Sequence, residues 1–238
     1  MIINTKSIDI NADLGEGFPW DVLLLDRVSS ANVCCGEHAG DPATIAATLR
    51  AAAERNVVVG AHPGYADREN FGRRERSIDR KAVRDLIVDQ VDRLIAIADS
   101  MNRKVHYIKP HGALYNQARR DREIALGVID AAYERSFPIL GIPGGALEEL
   151  ARERGVRFVA EGFPERRYQA DGSLVARDRA DAIVFDPHEI EDQVHTLIDR
   201  GVETLCVHGD APHAVAVADL IRSICNRSNI QVRSFIIT

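Results

Sequence analysis

The feature that most constrains this chain is an alternation. Short apolar runs rich in Val and Ile alternate with longer segments whose apolar residues recur every three to four positions. That succession predicts a parallel sheet whose strands are joined by helical crossovers. The strand candidates are residues 8–12, 31–35, 57–61, 105–109, 139–142, 158–161 and 204–208. Helix candidates are residues 42–55, 79–100, 122–135, 146–153, 189–200 and 214–225. In the second of these, Val83, Ile87, Val91, Leu94 and Ala98 make one stripe, which is a packing face. Asp41 before Pro42 reads as an N-cap with proline in the first turn, and Asp79 as the cap of the next helix. Seven strands, each followed by a connection, within 238 residues favour a closed or nearly closed (β/α) barrel over an open doubly wound sheet. No linker, repeat or low-complexity tract divides the chain, so residues 1–238 read as one barrel domain. A last apolar run, residues 232–237, is an eighth strand or an edge strand.

Composition removes several function classes. With 45% hydrophobic and 28% charged residues, one ordinary core suffices without disulfides or a structural metal. Thirty basic against 36 acidic residues give a net charge of −6, and no Lys/Arg run supplies the footprint of a nucleic-acid binder. Cys34, Cys35, Cys206 and Cys225 fit neither a CxxC zinc site nor a secreted disulfide framework, so reduced cytoplasmic thiols are expected. The adjacent pair reads as small packed hydrophobes. The N-terminus turns acidic where a signal peptide needs an apolar stretch, and nowhere do about 18 apolar residues run together. The expectation is a cytoplasmic chain, neither exported by that route nor spanning a membrane.

Nearly every predicted strand ends in polar residues. Asn11, Asp13 and Glu16 follow the first, Glu37, His38 and Asp41 the second, and His62 the third. Lys109 and His111 follow the fourth, Glu161 the sixth, His208 and Asp210 the seventh. In parallel α/β folds the carboxyl ends of the strands share one face, so these residues are expected to converge on one pocket. Each has a plainer reading. Asp13 and Glu16 suit a glycine turn with solvated acids, Asp41 a helix cap, and His62 a satisfied core histidine. In YIKPHGALYN, Lys109 and His111 place a cation beside a titratable imidazole, a pairing that disfavours protonated His111 and suits a general base. A snorkelling surface lysine is the alternative. His208 and Asp210 resemble a base with its orienting carboxylate, or else a loop ion pair, and His213 is expected to face outward.

Several standard machineries are missing from the sequence: GxxxxGK[ST], GxSxG and HExxH. The glycines of GIPGGA open a helix and offer backbone N–H groups to an anion, or serve only the turn. The polar run 67–76, DRENFGRRER, is a solvated loop or a lid over the pocket.

Taken together, DINADLGEG, SANVCCGEHAGDP, GAHPGYADRENFGRR, IKPHGALYN, AEGFPERRYQADGSLVAR and CVHGDAPHA resemble the LamB/YcsF family, the A subunits of prokaryotic 5-oxoprolinase. The resemblance runs from Ile8 to the last helix. It implies a distorted (β/α) barrel related to the glycoside hydrolase and deacetylase barrels. It also implies ATP-dependent opening of 5-oxo-L-proline to L-glutamate together with B and C subunits. ATP would be a co-substrate held here or on a partner subunit. Within that scheme His111 or His208 is the base toward water, Asp210 orients His208, and Lys109 stabilises an oxyanion or phosphoryl oxygen. Asn11, Asp13, Glu16, His38, Asp41, His62 and Glu161 would bind substrate or a cation. Three departures stand out: Glu37 where the family carries an uncharged residue, Pro164-Glu165-Arg166 where it carries ADR, and Ala176 where it carries proline. Glu37 is expected to raise the His38 pKa or alter pocket polarity. Asp13, His38 and His62 also suit a divalent metal, which gives a rival reading as a metal-dependent amide or deacetylase-type hydrolase. A third reading is a non-catalytic subunit that binds lactam or sugar. Self-association is left open.

Overall fold

A computed structural model describes residues 6–236. The first strand explains the architecture. In β1 (Ser7–Leu14) every residue after Ser7 is buried, and polar and apolar side chains alternate: Asp9, Asn11 and Asp13 against Ile8, Ile10, Ala12 and Leu14. Successive side chains of a strand point to opposite faces, so both faces of this one are covered. The apolar set joins the main core under the helices. The polar set hydrogen-bonds its neighbours across the barrel interior.

That interior is a ladder of paired polar groups. Asp9 accepts from Ser29 and Ser30 and from Thr204. One level up, Asn11 donates to Glu161 (3.0 Å) and Thr204 (2.7 Å), and Asn32 donates to Asn11 (2.6 Å) and Asp13 (2.8 Å). Tyr107 donates to Asn32 (2.8 Å) from the far side. Burying such groups is tolerable only because they satisfy one another.

Around this ladder the strands run parallel in the order β3 (Val58–His62), β2 (Ser30–Cys34), β1, β6 (Thr204–Val207), β5 (Phe158–Gly162), β4 (Ile139–Gly141). The register sets Asp13 beside Asn32, and Asn11 beside both Ser30 and Cys206. The expected strand over 105–109 is reduced to single parallel bridges from Ile108 to Ala61 and to Ile139. It nevertheless closes the barrel. The His106 and Lys109 N–H groups donate to the Val59 and Ala61 carbonyls, the Ile108 N–H to the Pro138 carbonyl, and the Leu140 N–H to the Ile108 carbonyl. Pro110 follows at once and has no N–H with which to extend the pairing.

The helices form the outer layer: α1 (Asp21–Leu25), α2 (Pro42–Glu54), α3 (Arg80–Asp99), α4 (Gly112–Arg120), α5 (Arg122–Arg135), α6 (Ala146–Arg154), α7 (Pro187–Asp199) and α8 (Ala214–Arg227). The Asp41 carboxylate accepts from the Ala43 and Thr44 N–H groups and Asp79 from Ala82, which fixes the starts of α2 and α3 as the sequence suggests. The α3 stripe is buried as expected. It meets α5 closely: a Cβ on Gly127 would come within 2.6 Å of the Arg80 carbonyl oxygen, so only glycine fits there. The short α1 and all of α4 escape the periodicity reading. The run 232–237 is mostly not a strand. Only β7 (Gln231–Val232) pairs, alongside β1, while Phe235 sits edge-on to Tyr107 at 5.1 Å, and Ile237 lies outside the described residues. Among the described residues no helix is long and apolar enough to cross a membrane.

Candidate active site

The carboxyl ends of the strands meet at one cavity, of about 60 Å³. Asp13, Glu16, His62, Lys109, His111, His208 and Asp210 all line it. The convergence expected from the strand ends is therefore present for seven of the predicted residues. Glu161 and Asn11 lie beneath the cavity and His38 behind it, all buried. Asp41 does not join them: it is exposed, and its carboxylate is used by the α2 cap. The capping reading of Asp41 is the one the geometry supports.

Lys109 is the floor. Its ammonium lies 2.8 Å from Asp13, 3.0 Å from Glu161 and 2.9 Å from the Cys206 sulfur, with the Phe163 ring 5.5 Å away. A surface snorkel is excluded, because the residue is 2% exposed. Burial works against its charge, but Asp13, Cys206 and Glu161 outweigh it and hold the pKa well above the usual lysine value. Burial likewise pushes the Asp13 carboxyl up, yet His62 and Lys109 prevail and keep it well below the carboxylate range. Both partners are ionised at neutral pH.

On the β1–β3 side stands a buried cluster. His62 Nδ1 is 2.7 Å from the Lys109 carbonyl oxygen and His111 Nε2 is 2.8 Å from that of Phe71. Their other nitrogens, His62 Nε2 and His111 Nδ1, face each other at 2.9 Å. The His38 ring stacks on His111 with centroids 3.8 Å apart, and His38 Nε2 is 3.3 Å from Glu16 Oε1. Burial, helped by the neighbouring imidazoles, pushes His38 and His111 well below the usual histidine value. The low His111 pKa was expected, but its cause is burial beside two histidines; Lys109 turns inward to Asp13. Burial also pushes the Glu16 carboxyl well above its usual range, with the Asp13 and Asp210 charges adding to it. Glu37 corrects another expectation. Its carboxylate pairs with Arg93 on α3 at 2.6 Å, so it neither enters the pocket nor raises His38.

On the β5–β6 side the site is open. His208 Nδ1 is 2.6 Å from Glu165, whose carboxylate also accepts the His208 backbone N–H at 3.2 Å. The carboxylate orienting His208 is thus Glu165. Asp210 instead pairs with Arg73 and, at 3.3 Å, with Arg177. The reason is backbone geometry: residues 208 and 210 lie on a turn across Gly209, whose close contact with the Asp13 carbonyl leaves no room for a side chain. The Phe163 ring stacks on His208 at 5.2 Å. Burial and the Arg177 charge hold His208 well below the usual histidine pKa, and burial pushes Glu165 up to about 7.

Two segments that periodicity does not describe build the mouth. The run 67–76, after a 3₁₀ turn at Arg68–Asn70, lays Phe71 against His38 and His111 and places Arg73 on Asp210. It is a cover over the cavity, the second of its two expected readings. Residues 163–186 cross the mouth through bridges Arg166–Ile183 and Tyr168–Leu174 and supply Glu165, Arg166 and Arg177. An outer cavity of about 520 Å³ shares Arg73, Arg166 and Arg177 with the inner one and adds Arg119 and Arg120. The clue to these residues in the sequence was the density of arginine in both segments. The glycines before α6 serve the turn: the Gly144 N–H donates to Glu148 at 2.7 Å.

Known proteins place the chain in a family. The LamB/YcsF family profile matches residues 8–237. One 5-oxoprolinase A subunit, from Pseudomonas syringae pv. tomato, is 38% identical, with 97% of this chain and 98% of that protein covered. The 5-oxoprolinase A subunit of Mycolicibacterium paratuberculosis is 41% identical over 96% of this chain and 98% of its own. The crystal structure of a lactam utilization protein from Thermus thermophilus superposes with a TM-score of 0.88 at 35% identity, covering 96% of this chain and 100% of that one. A polysaccharide deacetylase of Bacillus cereus shares the fold alone, at a TM-score of 0.54 and 11% identity over 97% of this chain and 92% of that one. The chain belongs to the LamB/YcsF family.

Proposed function

We propose that this chain is the A subunit of a 5-oxoprolinase and opens the lactam ring of 5-oxo-L-proline to L-glutamate, using ATP and acting with B and C subunits. The names of its relatives support the substrate. The arrangement of His208, Lys109 and Asp13 around one cavity supports the chemistry. A five-membered lactam is an unactivated amide, so its carbonyl must be polarised and its nitrogen protonated before the C–N bond breaks. Transfer of the ATP γ-phosphoryl group to the carbonyl oxygen supplies the first. Water then adds to the carbonyl carbon, giving its proton to a base, and the ring nitrogen leaves with a proton. A second water releases phosphate.

The observation that carries the assignment is the difference between the candidate bases. Both His111 nitrogens are engaged, by Phe71 and by His62. In His208 only Nδ1 is engaged, by Glu165, so Nε2 is left for water. The Lys109 ammonium at the floor suits a developing oxyanion, and the Arg73, Arg166 and Arg177 guanidiniums at the mouth suit the substrate carboxylate or phosphoryl oxygens. The absence of a phosphate loop in the sequence fits ATP held wholly or partly by a partner subunit. The test is glutamate release from 5-oxoproline by this chain mixed with B and C subunits. ATP-dependent release that needs all three is expected; release without ATP, or none in the full mixture, overturns the reading.

A further inference from the structure

The buried cluster holds two imidazole nitrogens that neutral rings cannot satisfy by hydrogen bonding to each other. A carbonyl oxygen only accepts, so His62 carries a hydrogen on Nδ1, toward Lys109, and His111 on Nε2, toward Phe71. In neutral rings both inner nitrogens then present lone pairs, and these face each other at 2.9 Å in a buried site. Two acceptors at that distance need a positive species between or beside them: a proton on His62 Nε2, which Asp13 Oδ2 also faces at 3.4 Å, or a bound cation. Glu16 Oε1 approaches the same point, 3.6 Å from His111 Nδ1, 3.9 Å from His62 Nε2 and 3.3 Å from His38 Nε2.

We propose that Glu16, His38, His62 and His111 form a binding site for one divalent transition metal ion of the zinc class. Bonds of about 2.0–2.1 Å in a tetrahedron place donor atoms roughly 3.3–3.4 Å apart. Four of the six donor–donor edges here run 2.9 to 3.9 Å, all four donors lie within 4.8 Å of one another, and His38, stacked parallel on His111, has to turn out of that stack to ligate. Two of the three imidazoles have their outer N–H anchored on a backbone carbonyl, the support that orients metal-ligating histidines. Three nitrogens and one carboxylate select zinc, cobalt or nickel over magnesium and calcium, which take oxygen. The cradle is also shaped by missing side chains: a Cβ on Gly64 would come within 2.9 Å of His38 Nδ1, and one on Gly72 within 2.9 Å of His38 Cβ and 3.0 Å of His111 Cδ2. Asp13, which the sequence grouped with His38 and His62, keeps Oδ1 on Lys109 and Asn32 and turns Oδ2 toward His62 Nε2 at 3.4 Å, so it borders the set as a neighbour of His62.

His208 gives no donor to this set although both sides line one cavity, and metal binding is read apart from turnover, so a failure here leaves the ring-opening proposal standing. The experiment strips the full chain with a chelator and titrates it with Zn²⁺, following heat release, and with Co²⁺, following visible absorption. One ion per chain is expected, with the intense visible bands of four-coordinate cobalt. Glu16→Gln and His62→Asn should weaken binding at least a hundredfold, while His208→Asn binds as wild type does. Retained circular dichroism in each variant separates lost ligation from lost folding. Should His62→Asn unfold, Glu16→Gln and the wild-type cobalt spectrum decide. No stoichiometric binding by wild type, six-coordinate cobalt bands only, or equal binding by Glu16→Gln would overturn the proposal and leave a shared proton as the species between the imidazoles.

Discussion

The barrel mouth holds histidines in two opposite situations. His38, His62 and His111 lie under Phe71, stacked or bonded to one another and to backbone carbonyls. His208, across the Lys109 floor, has one nitrogen held by Glu165 and the other directed at the cavity. On the two proposals made for them, the same side chain would serve as a ligand where its donors point inward at each other, and as a base where one nitrogen faces water. What separates His62 and His111 from His208 is the partner of the outer nitrogen: a carbonyl, which fixes the tautomer, or a carboxylate, which shares the proton.

This contrast breaks first if the wrong side carries the reaction. His208→Ala is expected to lower kcat in the reconstituted complex by about 10² to 10⁴, the usual worth of a positioned base, with KM changed far less. A steady-state comparison with wild type checks it, and unchanged kcat would assign His208 to packing. Lys109→Met tests the floor common to both sides. It leaves the buried carboxylates of Asp13 and Glu161 without their cation, a loss of about 3–5 kcal/mol in unfolding free energy by urea titration.

The Glu165 carboxyl gives a pH signature of its own. Its folded pKa, raised to about 7 by burial, exceeds the ordinary 4.5, so the native chain keeps a proton that the unfolded chain releases. That contribution to stability is complete below about pH 4.5 and is lost as pH rises to 7, with a slope of up to about 1.4 kcal/mol per pH unit. His208, depressed by burial, contributes in the opposite sense, its stability being lost as pH falls below the ordinary histidine value. The difference between wild type and Glu165→Gln in Tm across pH 5 to 7 isolates the carboxyl, and wild type should lose ground to the variant as pH rises. The smallest effect belongs outside the contrast. Asp41→Ala should cost about 1 kcal/mol through the lost α2 cap, measured by denaturation, and leave kcat untouched.

Much of this was legible in the polar residues at the strand ends. The rule that parallel strands end on one face brought Asp13, Lys109, His62 and His208 to one cavity, although the sequence reading puts Asp13 just past the first strand and it lies within it. Helix starts were legible because a capping carboxylate acts on N–H groups two and three residues away. Side-chain direction in loops was not. Glu37 follows a strand as His38 does, yet turns outward to Arg93, while Glu165 takes the place beside His208 that proximity in sequence gave to Asp210. Phe71, Arg73 and Arg177 ride on segments with no period to read, and contacts of that kind depend on the packing of distant strands.

The most direct test of the two-sided account is the pH dependence of kcat/KM for wild type and Glu165→Gln in the reconstituted complex. In wild type, loss of one proton from the Glu165–His208 pair near pH 7 frees His208 Nε2 as a base, so the rate should rise through about pH 7. In the variant the amide oxygen holds the Nδ1 hydrogen in place, and the rise should move to lower pH at a reduced plateau. Superimposable profiles for the two proteins would contradict the account.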